Sequence, residues 1–225
     1  MQPNGTSIQE LLQKVIGTIA QEQVIVTGAG RTDAGVHALA QVAHFSLDGP
    51  PPSLRALNGL LPPEIRVLTL EPVNDDFHAR YSATGKIYHY HLWTDPVQSP
   101  FHRLYSLHHT YPFDRTAIEE AISHLLGTQD FTSFANESGV KRNPIRTIDR
   151  IDLVDQEGGL RFEFHGKSFL YKMVRNLVGT LLEVGAGKRT ADSLKEILAA
   201  KDRRAAGKAA APHGLFLVKV LYDGV

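Results

Sequence analysis

Residues 147–166, TIDRIDLVDQEGGLRFEFHG, alternate apolar and polar side chains on either side of a Gly-Gly pair. Two such runs around two glycines predict a hairpin turning near Gly158 and Gly159, and a hairpin is antiparallel. The next segment, SFLYKMVRNLVGTLLEVG (168–185), reads as a long apolar helix. A fold that holds both combines strands and helices, and the rest of the chain repeats the mixture.

In TSIQELLQKVIGTIA (6–20), Ser7 stands three residues before Glu10 as a capping box, and Ile8, Leu11, Leu12, Val15, Ile16 and Ile19 recur at helical spacing. QVIVT (23–27), AQVAHFSL (40–47), RVLTLEPV (66–73) and KIYHYHLW (86–93) read as strands, and SLRALNGLL (53–61) as a short helix stopped by Pro62 and Pro63. TDPVQSPFHR (94–103) is the expected connection between two halves, residues 1–100 and 101–225. The second half opens with a strand, LYSLHHTY, followed by a helix capped by Asp114 and stopped at Gly127. TADSLKEILAA predicts a further helix, KDRRAAGKAAAPHG a flexible loop, and GLFLVKVLYD a closing strand. The first half begins directly with its helix and is one strand short.

Several function classes are excluded or disfavoured. No apolar run approaches the roughly 18 residues of a membrane span, and MQPNGTSIQE has neither the basic nor the apolar stretch of a signal peptide. A chain without cysteine can have no disulfide, iron–sulfur cluster or thiolate zinc site. A cytoplasmic location is expected. His78, His89, His91, His102, His108 and His109 show no metal-ligand spacing, so no metal is expected. Net charge is zero, but the first hundred residues carry six Lys and Arg against nine Asp and Glu, and the remainder 18 against 15. The cations cluster as Lys141, Arg142, Arg146 and Arg150, as Arg161, Lys167, Lys172 and Arg175, and as Lys201, Arg203, Arg204 and Lys208. Such clusters fit either a nucleic-acid groove or solvated helix faces.

GAGRTDAGVHALAQVAHF (28–45) follows the apolar VIV run and sets Arg31 and Asp33 among small residues. Three readings compete. As a dinucleotide loop it fails, because the third glycine of G-x-G-x-x-G would fall at position 33, where an Asp faces the phosphates. As a P-loop it lacks Gly-Lys-Ser/Thr. A structural turn suits Asp and Gly. A displayed, reactive carboxylate suits Arg31, a cation that keeps Asp33 ionised, and the small residues that leave room for a bulky substrate.

GRTDAGVHA (30–38) resembles the active-site motif of the tRNA pseudouridine synthases of the TruA family. DDFHARYSAT (75–84), KIYHYHLW, GTQDFTSF (127–134), RTIDRIDL (146–153), FLYKMVRNLVGTLLEVG (169–185), LAAKDR and HGLFLVKVLY resemble the family's blocks in the family's order, over essentially the whole chain. The resemblance implies an isomerase that converts uridine to pseudouridine in the anticodon stem-loop of tRNA (tRNA positions 38, 39 and 40) without a cofactor. It implies that Asp33 is the catalytic carboxylate, that Arg175 pairs with it, and that Tyr88 stacks on the detached uracil and helps move a proton. Arg31, Tyr88, His37, Phe77, Arg80 and Lys172 are the implied substrate-binding residues, with Arg31 filling the space of a flipped-out base or holding phosphates, and His37 supporting the loop. The implied partners are tRNA and a second copy of the chain, as a homodimer. The basic clusters then weigh toward RNA.

Family members begin with a strand and a YDG…F.GWQ segment ahead of the QPNG.S.QE found here, which accounts for the strand that the first half lacks. Either the natural chain is longer or a sheet edge lies open, and an impaired tRNA-binding pseudo-enzyme is the alternative expectation. The expected fold is α+β: two similar halves, each an antiparallel sheet with helices on one face, around a central cleft.

Overall fold

A computed structural model describes residues 6–136 and 143–223, so Lys141 and Arg142 of the first basic cluster lie outside the described residues. The chain forms two compact units. One comprises the described residues up to Arg31 with Gln41–Ala83, the other Thr32–Ala40 with the chain from Thr84 onward.

In the smaller unit, helix α1 (Ile8–Ala20) starts at the capping box. Ser7 Oγ accepts from the Glu10 amide at 3.2 Å, and Glu10 Oε2 accepts from the Ser7 amide at 2.7 Å. Ser53 caps α2 (Leu54–Leu60) singly, its hydroxyl accepting from the Ala56 amide. Val15 and Ile16 of α1 pack with Val24, Val26, Leu57 and Leu61. The expected strands are mostly absent as strands. Only Thr27–Gly28 (β1) and Ala43–His44 (β3) pair, antiparallel. Side-chain amides replace the missing ladder: Gln9 Nε2 donates to the Val26 carbonyl at 2.7 Å, Gln13 Oε1 accepts from its amide, and Asn58 bonds both backbone groups of Val67 at 2.8 Å. RVLTLEPV is therefore extended chain held by one asparagine. Both backbone groups of Val67 are thereby satisfied without a neighbouring strand.

The larger unit is built on a seven-stranded sheet: β2 (His37–Ala38), β9 (Leu215–Tyr222), β4 (Ala83–Trp93), β8 (Gly159–Gly166), β7 (Ile145–Gln156) and β6 (Gly127–Asp130) in that order, with β5 (Leu107–His108) beside β4. The hairpin forms as expected. Gln156 pairs with Gly159 across Glu157 and Gly158, and Gly158 takes φ +70°. The sheet is mixed and not wholly antiparallel, because β2 runs parallel to β9 and β5 parallel to β4. Both exceptions are two-residue strands brought to the sheet by distant chain, which local pattern does not specify.

Leu160, Phe162 and Phe164 of β8 point into the core and Arg161, Glu163 and His165 away from it. The buried face carries α3 (Arg115–Ser123), α4 (Met173–Gly185) and α5 (Ser193–Ala200). Eleven of the thirteen residues of α4 are buried, which is why it is apolar all round. It begins at Met173 and not at Ser168. Lys172, at φ +60°, breaks the helix there, and the residues before it bend to bring Phe169 and Leu170 against the core. Asp114 caps α3 as expected, but the helix ends at Ser123 and Gly127 opens β6. Among the described residues no helix is long and apolar enough to cross a membrane.

The expected flexible loop is instead a strap along α4. Thr180 Oγ1 accepts from the Gly207 amide at 2.9 Å, Glu183 Oε1 from the Lys208 amide at 3.3 Å, and Arg189 donates to the Ala205 carbonyl at 3.0 Å. Its small residues serve close approach: a β-carbon on Gly179 would lie 1.8 Å from the Lys208 carbonyl oxygen.

Candidate active site

Asp33, Ala34, Gly35 and Val36 form a β-turn, closed by the Val36 amide donating to the Asp33 carbonyl at 3.0 Å. Its third residue, Gly35, takes φ +80°, a conformation that glycine adopts without strain. The turn thus consumes the Asp33 carbonyl and leaves its carboxylate free. The turn reading of this loop holds: Gly35 makes the bend, and the bend turns the Asp33 side chain away from its own hydrogen bond.

Asp33 Oδ2 accepts from Arg175 Nη1 at 2.6 Å. Both side chains are nearly out of water, Asp33 11% and Arg175 12% exposed, so neither charge is offset by solvent and each depends on the other. Arg175 lies in the first turn of α4. Its Nε donates to the Ala210 carbonyl at 2.8 Å, and its own carbonyl accepts from the Ala210 amide at 2.9 Å. The strap therefore fixes both the backbone and the guanidinium of this one residue. The cation paired with Asp33 is Arg175, and Arg31 is exposed.

Tyr88 is partly buried on β4, paired with Phe164 of β8, with its ring edge-on to Phe169 at 5.3 Å. Burial, and after it the Asp33 charge, push its phenol up to about 12. At neutral pH it is an uncharged hydroxyl. Tyr90, two residues on and facing the same way, is fully buried and donates to the Ala211 carbonyl at 2.8 Å. The alternating strand thus splits two similar tyrosines between a pairing with the Asp33 field and a core position.

His37 stacks on Phe216 at 4.7 Å, and its Nε2 lies 3.0 Å from the Leu104 carbonyl. It pins β2 to β9 directly after the Asp33 turn. Lys172 sits at the start of α4 with Nζ 5.3 Å from the Tyr171 ring. In the smaller unit, Phe77 is edge-on to His44 and the exposed Arg80 lies over Tyr81. The structure brings together Asp33, Tyr88 and Arg175. Sequence reasoning missed Tyr90 and the carbonyls of Ala210 and Ala211, since a backbone oxygen leaves no mark in residue type.

Among the described residues one group of side chains could hold a cation: Asp152, Glu163 and His165, with ligand atoms within 4.8 Å of one another on the outward face of the sheet. Arg150 Nε already pairs with Asp152 at 2.6 Å and Arg161 Nη2 with Glu163 at 2.6 Å. The carboxylates are neutralised internally.

A carboxylate on a tight turn, a guanidinium clamped from behind and a neutral phenol in one largely dry corner define a site suited to acid–base or nucleophilic chemistry. The sequence matches the tRNA pseudouridine synthase family over residues 1–82 and 121–223. It is 48% identical over 230 residues to tRNA pseudouridine synthase A 1 of Protochlamydia amoebophila, covering 99% of this chain and 90% of that protein. With tRNA pseudouridine synthase A of Exiguobacterium sibiricum identity is 44% (99% and 90% covered), and with that of Bacillus subtilis 41% (99% and 92%). The chain belongs to the tRNA pseudouridine synthase family.

Proposed function

We propose that the protein converts uridine to pseudouridine in the anticodon stem-loop of tRNA, at positions 38, 39 and 40. The observation that carries this reading is the Asp33–Arg175 pair beside Tyr88, presented by the Gly35 turn in a chain of this family. In the reaction the bond from ribose C1′ to uracil N1 breaks, the base turns, a bond from C1′ to C5 forms, the C5 proton leaves and N1 gains a proton. Atoms and electrons balance within the substrate, so no oxidant or energy source enters.

Asp33 acts at the reacting uridine, and Arg175 keeps a positive charge against it. Tyr88, a neutral phenol against Phe169, stacks on the base and exchanges protons with it. A base must leave its stack to reach such a site. Arg31, Phe77, Arg80 and Lys172 hold the RNA around it, and His37 supports the loop. The same reading includes two similar halves about a cleft, spanning residues 1–100 and 101–225, and a cytoplasmic homodimer; its support is the likeness to the family. The alternative, an impaired tRNA binder, has no support.

The test uses tRNA transcript labelled with tritium at uracil C5. Release of label to water is expected from the protein and is lost in Asp33→Asn while tRNA binding persists. Absence of release from both proteins, with binding intact, would sink the enzyme reading.

A further inference from the structure

Three consecutive residues of the strap, Ala210, Ala211 and Pro212, touch the three parts of the proposed site. Ala210 exchanges two hydrogen bonds with Arg175, at 2.8 and 2.9 Å. The Ala211 carbonyl accepts from the Tyr90 hydroxyl at 2.8 Å, on the strand that carries Tyr88. The Pro212 ring lies against the Asp33 turn: a β-carbon on Gly35 would come within 3.1 Å of its Cγ. The helix, the strand and the turn therefore each take their position from one short run of backbone. That run leads directly into Gly214, where a β-carbon would meet the Tyr90 ring at 2.9 Å.

We propose that Tyr90 is a positioning residue for the reaction: by holding the Ala211 carbonyl it sets the Ala210–Pro212 backbone, and through it the aim of Arg175 at Asp33. The inference rests on the proposed function above. Tyr90 touches no reacting atom. Its ring is fully buried, and its hydroxyl is the anchor in that contact. Without that hydroxyl the Ala211 carbonyl loses a bond beside the core, and the reciprocal bonds of Ala210 to Arg175 lose their fixed support. Rate depends on such aim far more than binding does, since small displacements at a reacting centre cost large factors in turnover.

Tritium release is measured under saturating and limiting tRNA for the wild type, Tyr90→Phe, Gly214→Ala, Pro212→Ala and Leu194→Ala. The last is a core change in α5 that lowers stability without touching the strap's contacts with the site. All are assayed well below their unfolding temperatures. The expected result for Tyr90→Phe is a kcat lower by about 10- to 100-fold with KM for tRNA unchanged, while Leu194→Ala keeps wild-type kcat. A kcat for Tyr90→Phe within about two-fold of wild type, a change in KM alone, or an equal kcat loss in Leu194→Ala overturns the inference. If Tyr90→Phe does not fold, Gly214→Ala decides by the same criteria, since its β-carbon would meet the Tyr90 ring at 2.9 Å and displace the hydroxyl from the Ala211 carbonyl, while Pro212→Ala, which keeps that bond, serves as the control for the strap's contact with Gly35. A wild type that releases no tritium overturns the proposed function itself, a result distinct from any of these.

Discussion

The pairing of Asp33 with Arg175 has a cost that its chemistry must justify. Two charges that are each about nine-tenths removed from water are stable together and unstable apart. Arg175→Ala is therefore expected to lower stability by about 3–5 kcal/mol, because Asp33 is left without a counter-charge. Adding Asp33→Asn to that variant recovers part of the loss. Urea denaturation of the four proteins in the cycle measures the coupling, expected to be at least about 1 kcal/mol. Additive losses would mean that the 2.6 Å contact contributes nothing. In the assay, Arg175→Ala lowers turnover more than tRNA affinity; a loss confined to binding would assign Arg175 to the RNA backbone. The bend at Asp33 was legible from sequence because Gly35 and the small residues around it mark a turn with room beside it, whereas a role for its carboxylate followed only from the family motif. Arg175 was legible only through the family motif, since an arginine at the start of an apolar helix reads equally well as one whose charge reaches for solvent. The decisive fact, that the strap crosses α4 at Arg175, joins residues 35 positions apart.

At the scale of elements, α4 and the strap form one unit whose contact is set by glycine. Gly179 leaves no room for a side chain, because the obstacle is the Lys208 carbonyl, a backbone atom that cannot swing away. Gly207 is different: there a β-carbon meets the carboxylate of Glu183, the end of a flexible side chain, at 2.8 Å. Gly179→Ala is expected to cost about 1–3 kcal/mol, a fall in melting temperature of several degrees for a chain of this size, and Gly207→Ala clearly less. Calorimetry of both variants decides, and equal losses would show that the strap gives as readily as a side chain. The same contact explains a misreading. AAGKAAA has the composition of a flexible segment, yet small residues also permit two backbones to touch, and composition does not separate the two uses. The hairpin, the capping box of α1 and the Asp114 cap were legible because their causes lie within a few residues of one another. The strands of the smaller unit were not, because the amides of Gln9, Gln13 and Asn58 take the bonds that a neighbouring strand would have made.

Across the whole molecule, a charge count overstates what is available to a polyanion. Of the basic clusters, Arg150 pairs with Asp152, Arg161 with Glu163, Lys201 with Asp130 and Arg204 with Asp202. Arg203 turns inward to Asn176 and the Ala206 carbonyl. An arginine already paired with a carboxylate releases little when a phosphate replaces its partner, because one anion is exchanged for another and the displaced carboxylate repels the RNA. Lys172, whose side chain makes no ion pair among the described residues, has no such competitor, and it stands three residues before Arg175. The two kinds of cation separate in the salt dependence of tRNA affinity, since each phosphate neutralised contributes a slope of roughly 0.7 to 0.9 in log K against log salt. Lys172→Asn, chosen because asparagine tolerates the positive φ of that position, is expected to flatten the slope by about one such increment. Arg161→Ala is expected to leave it unchanged. Fluorescence anisotropy with labelled tRNA across a potassium chloride series measures both. Equal flattening in the two variants would mean that Glu163 yields Arg161 to the RNA, and that the outward face of the sheet is part of the binding surface.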